Sequence, residues 1–111
     1  MDQRVSRMNP FGEIVRRSTP MAFGSDCMPF DPLYGVWSAV AHHRIVPYEA
    51  IRHYTQSAAY AAFEEAVKGT IQPGMVADLA VLSADPTTIA VEKIPEITVE
   101  MTIIDGRVHD R

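Results

Sequence analysis

Apolar and polar positions recur with two different periods along the chain, and the period changes near Gly69. Before that point the spacing is helical. Phe11, Ile14 and Val15 fall at i, i+3 and i+4, which predicts an amphipathic helix of about two turns. Asn9-Pro10 supplies a cap and a first-turn proline for it, and Thr19-Pro20 ends it. Met21-Ala22-Phe23-Gly24 is a short apolar run stopped by Ser25-Asp26. It reads as a buried strand that presents Asp26 at its C-terminal end. Asp31-Pro32 repeats the cap-plus-proline signal. The helix that it opens carries Leu33, Val36, Trp37, Val40 and Ala41 as one stripe, with His42, His43 and Arg44 in its last turn. Pro47 opens a further helical stretch that runs to Lys68-Gly69, with a break at Thr55-Gln56-Ser57 left open. Its alanine density predicts close packing against a flat surface.

Beyond Gly69 the period becomes two. Pro73-Gly74 is a turn, and Ala77–Leu82 is a strand ended by Ala84-Asp85-Pro86. After Pro95, Ile97, Val99, Met101 and Ile103 alternate with Thr98, Glu100 and Thr102, as in a strand with one wet face. Asp105-Gly106 then fits a two-residue type I′ hairpin turn into Arg107-Val108-His109. The order is helix, strand, helix, helix and three strands. One lone buried strand and three antiparallel ones complete neither of the layers they suggest.

Composition narrows the class. With 111 residues there is room for one modest core but not for a complete (β/α)₈ barrel, which needs about 250. Apolar residues make up 47% and charged ones 22%, the balance of a globular chain rather than a disordered one. A net charge of −4 argues against nucleic acid or an anionic membrane as partner. No apolar stretch approaches the ~18 residues of a membrane span, and no secretory signal is visible at the N-terminus. The single Cys27 excludes an internal disulfide and fits a reducing cytoplasmic setting.

Several runs carry a family resemblance. Phe23-Gly24-Ser25-Asp26-Cys27-Met28-Pro29 resembles the GSD-x-P segment that ends the eighth barrel strand of metal-dependent amidohydrolases. Tyr48–Thr55 resembles their E-A-L-x-x-x-T helix. Gly69–Leu82 is similar to their G-x-I-x-P-G-x-x-A-D-L-x-V-L signature, the most specific of these runs, and Val99–Val108 resembles their closing hairpin. The resemblance covers roughly residues 9–109 and points to the branch that includes exoenzyme-like and N-substituted formamide deformylase-like proteins. It implies an α/β fold fragment. Residues 1–68 would be the end of a (β/α)₈ barrel (TIM barrel), and residues 69–111 the C-terminal strands of the flanking β-sandwich. It also implies a parent hydrolase that breaks non-peptide C–N bonds of a small amide-like substrate with metal-activated water. In that parent, Asp26 is both metal ligand and general base, and the divalent metal is expected to be zinc.

The chain departs from the pattern in having no His-x-His, so no metal is expected on it alone and catalysis by it alone is not expected. Asp26 could be a solvated strand-end carboxylate, and Asp31 is read as a helix cap. His42 and His43 point about 100° apart on a helix and converge poorly on an ion. Cys27 sits beside the negative charge of Asp26, which opposes thiolate formation. Ser25 lacks the second glycine of a nucleophile elbow, and Asp78 reads as fixing the start of a strand. The alternative to a hydrolase fragment is a non-catalytic module that forms a homo-oligomer through exposed strand edges.

Overall fold

The computed structural model describes residues 8–26 and 30–109. Helix α1 spans Phe11–Arg16, α2 Pro32–His43, α3 Pro47–Tyr54 and α4 Gln56–Ala61. Strands β1 (Leu79–Leu82), β2 (Val99–Ile104) and β3 (Arg107–His109) follow, with a 3₁₀ helix at Val91–Glu96 between the first two.

The capping signals fix the second helix better than the first. The Asp31 carboxylate accepts the Leu33 N–H at 2.9 Å, and Pro32 occupies the first turn, so Asp31 is a helix cap. Asn9 does not cap α1. It adopts φ 51°, and Pro10 takes the cap position with no side-chain hydrogen bond.

The long stretch from Pro47 breaks at Thr55, whose φ and ψ are −117° and −85°. The Thr55 hydroxyl donates to the Ile51 carbonyl at 3.0 Å, a back-bond that bends helices. Helix α4 then ends at Ala61 rather than Lys68. Phe63 turns left-handed at φ 60°, with Phe63 N–H on Tyr60 O and Glu64 N–H on Ala59 O. This is the closing arrangement in which glycine is usual, and its absence hides the stop from sequence reading.

The three strands form one antiparallel sheet in the order β1-β2-β3. Leu79 faces Ile103 and Val81 faces Met101, and a register shift lies between Val81 and Leu82. Asp105 and Gly106 both have positive φ, 50° and 74°, as the type I′ turn requires. The Asp78 carboxylate accepts the Asp105 N–H at 2.9 Å and the Ala77 carbonyl accepts the Gly106 N–H. Asp78 therefore ties the hairpin turn to the start of β1.

The core lies around α2. Val36, Ala39, Ile45, Ala50 and Ile94 cluster there, with Ile94 fully buried. Ile94 comes from the 3₁₀ helix, which packs on α2. That element is missed when Pro95 is taken only as a spacer before a strand. A 3₁₀ turn makes few internal hydrogen bonds, so the proline's missing N–H costs little there. Among the described residues no helix lies against the sheet. The radius of gyration, 15.0 Å, exceeds the about 13 Å expected of a compact chain this long.

Truncating Ile94 to alanine is expected to lower the unfolding free energy by about 2–5 kcal/mol in denaturant titration, because it opens a cavity between α2 and the 3₁₀ helix. Phe63→Gly is expected to raise stability by about 0.5–1 kcal/mol, since the exposed Phe63 sits in a left-handed conformation that glycine adopts freely. A lower thermal midpoint for Phe63→Gly would contradict this reading.

Candidate functional site

Asp26 lies at the end of an extended stretch, Met21–Ser25, that packs against α3 without a strand beside it. The expected buried strand is therefore neither paired nor buried: Met21, Phe23 and Ser25 are half-buried, and Ala22 and Gly24 are exposed. A ladder needs a second strand, and among the described residues Met21–Ser25 finds its long-range hydrogen-bond partner in His53. The Phe23 N–H donates to the His53 carbonyl at 3.0 Å, and His53 Nδ1 lies 2.8 Å from the Met21 carbonyl.

The stretch has an open cleft on each side. One, of about 290 Å³, runs between it and α2 and is lined by Phe23, Ser25, Asp31, Tyr34, His43 and Tyr54. The other, of about 460 Å³, lies toward α3 and α4, with Met21, Ala22, Arg52, Ser57 and Tyr60 among its walls. Asp26 itself is exposed and left-handed, with φ 44°.

The first cleft is shaped by a close approach. Tyr54 lies against Gly35 on α2, where a Cβ would meet the tyrosine hydroxyl. A side chain at position 35 would displace the phenol from this place. Burial first, and the Asp31 carboxylate second, push the Tyr54 phenol above the ordinary tyrosine range. Both effects disfavour the phenolate.

The remaining candidates do not gather around Asp26. His43 stands edge-on to Phe11 with ring centres 4.9 Å apart, and His42 edge-on to Trp37 at 5.3 Å. The two rings thus face different aromatic neighbours, as their adjacency on a helix predicts. Cys27 lies outside the described residues. Among the described residues no three His, Cys, Asp or Glu side chains come together in a metal-binding group. Asp26 fits as one oxygen ligand of a hard or borderline cation, and a complete site needs donors from elsewhere.

Sequence reading missed His53. It is buried on α3, 7% exposed. Its spacing from the buried Ala50, i and i+3, was the available signal.

Comparison with known proteins follows the same lines. Residues 1–109 match the sequence model of the Amidohydrolase family. A Bacillus subtilis (strain 168) protein, "Putative amidohydrolase YtcJ", is 32% identical over 86% of the chain and 21% of its own length. The N-substituted formamide deformylase of Arthrobacter pascens is 27% identical over 95% of the chain and 22% of its own length. The crystal structure of an amidohydrolase from Thermotoga maritima MSB8 superposes with a TM-score of 0.73 at 22% identity, over 89% of the chain and 25% of that protein. The chain belongs to the amidohydrolase family. It spans about a fifth of the length of the curated relatives it matches.

The Tyr54 environment gives a pH prediction. A raised folded-state value means that its stabilising effect is complete below the unfolded tyrosine value, near about 10, and is lost as pH rises through the folded value. Alkaline difference spectroscopy should therefore show a late-ionising phenol that Tyr54→Phe removes, and that variant should lose less stability than the wild-type chain between neutral and strongly alkaline pH.

Proposed function

We propose that the chain is the C-terminal part of a metal-dependent amidohydrolase that hydrolyses non-peptide C–N bonds of a small amide-like substrate. In this reading residues 1–68 end a (β/α)₈ barrel and residues 69–111 supply C-terminal strands of a flanking β-sandwich. The observation that carries it is the extended Met21–Ser25 stretch, with a cleft on each side and Asp26 at its C-terminal end. A barrel strand has neighbours on both sides, and barrel enzymes place catalytic groups at the C-terminal ends of strands. Family membership supports the hydrolase class, and the name of the Arthrobacter relative supports an amide-like substrate.

The Asp26 carboxylate would hold a divalent metal, zinc by preference, together with donors outside the described residues. Bound there, the metal would supply Lewis acidity and a more acidic water. The chain's own part is narrower. In this reading one Asp26 oxygen takes the proton of the attacking water and returns it to the leaving nitrogen, as a general base and then a general acid. His53 fixes the backbone from which that carboxylate is presented. A cytoplasmic location is part of the same proposal and rests on the single Cys27.

In the complete enzyme, Asp26→Asn should lower kcat by about 10²–10⁴-fold, the range of general acid–base catalysis, while the folded state survives by circular dichroism. A fall of less than tenfold would remove Asp26 from the chemistry. The 111-residue chain alone, purified and dialysed against zinc, should neither retain stoichiometric metal nor turn over an N-substituted formamide. If it does both, the fragment reading is wrong.

A further inference from the structure

His53 is the one polar residue classed as buried among the described residues, and its ring faces the stretch that leads to Asp26. We propose that His53 is a positioning residue that stands in for a neighbouring strand, holding Met21–Phe23 through a backbone carbonyl and a ring N–H fixed in the Nδ1–H tautomer. Its link to catalysis rests on the reading of Asp26 given above; the clamp itself does not.

In a β-ladder, one residue's C=O and the N–H two residues on point to the same neighbour. Here the Met21 carbonyl and the Phe23 N–H both meet His53. The His53 carbonyl accepts from Phe23 because the helix is interrupted at Thr55, which leaves that carbonyl free to face the stretch. The ring supplies the donor that a strand neighbour's N–H would have given.

The tautomer follows from hydrogen-bond direction. A carbonyl oxygen only accepts, so with Met21 O at 2.8 Å the hydrogen must sit on Nδ1. The Ser57 hydroxyl lies farther from the same nitrogen, at 3.4 Å, and cannot donate to a nitrogen already bearing hydrogen. Nε2 is buried with no partner. Placing the hydrogen there would bury an unpaired donor and set the Nδ1 lone pair against the Met21 carbonyl, which costs more than burying a bare acceptor. The Phe23 ring, 4.9 Å from the imidazole, and Ser57 leave it little room to turn. Phe23 is three residues from Asp26, so the clamp sets where the chain leaves for the carboxylate.

The test is nuclear magnetic resonance on the 111-residue chain, at about pH 8, above the ordinary imidazole range. Ring ¹⁵N shifts of the wild-type protein should show a protonated Nδ1 and a bare Nε2 for His53, a measurement that needs no variant. In His53→Phe the Met21 carbonyl loses its ring donor, so the clamp should open more often and the Phe23 amide exchange about tenfold faster, the ratio equivalent to that one hydrogen bond, and the Gly24–Asp26 amide shifts should move. His53→Asn carries an amide N–H at the place of Nδ1 and should restore both, whereas a residue that merely fills space would be replaced better by phenylalanine. Ile94 methyl shifts report whether the core stays folded in each variant.

An Nε2–H tautomer overturns the proposal. So does rescue by phenylalanine rather than asparagine with the Ile94 signals unchanged. If the clamp is confirmed but Asp26→Asn leaves the complete enzyme active, the proposal's structural half stands and the catalytic reading of Asp26 fails.

Discussion

The burial of Ile94 against α2 is the contact on which the arrangement depends. Among the described residues no helix lies against the sheet, and the 3₁₀ helix lays Ile94 into the cluster of Val36, Ala39, Ile45 and Ala50. Complete burial of such a side chain is worth about 1.5–3 kcal/mol before entropy is counted. In a chain with few fully buried residues that is a large share of a marginal total. Because the sheet is held at one end, its strands keep their own register through Asp78 and the Asp105-Gly106 turn rather than through a packed face.

A second constraint acts on Met21–Ser25. An extended backbone must find partners for its N–H and C=O groups, and one face of this stretch finds them on His53. The local consequence is a chain of dependence. Thr55 bends the helix, the bend frees the His53 carbonyl, and His53 holds the backbone that presents Asp26. Open clefts on each side of the stretch, and membership in a family whose matched relatives are roughly five times longer, fit together. Both fit the barrel layer of the proposed function.

Much of this was legible before any coordinates. Asp31-Pro32 announced α2, because a carboxylate cap and a proline at the first turn are local chemistry that needs no distant partner. Asp105-Gly106 announced the hairpin for the same reason, and the alternation from Ile97 to Ile103 announced which side of β2 is drier. The Gly69–Leu82 run and the Phe23–Asp26 segment carried the family. The misreadings are equally specific. Phe63 closes a helix in a conformation that no local signal predicts. Pro95 sits inside a 3₁₀ turn rather than before a strand, and Asn9 gives up the cap to Pro10.

The sequence by itself determined the caps, the turn, the alternation and the family, because each depends on neighbours a few residues apart. Only the tertiary structure decided that His53 is buried and that Met21–Phe23 is held by an imidazole. It alone also decided that Ile94 joins the cluster on α2 and that Tyr54 presses on Gly35. These contacts link residues about twenty to sixty positions apart. Hydrophobic spacing shows that a residue will be buried, but which distant group it meets is set by how the elements pack.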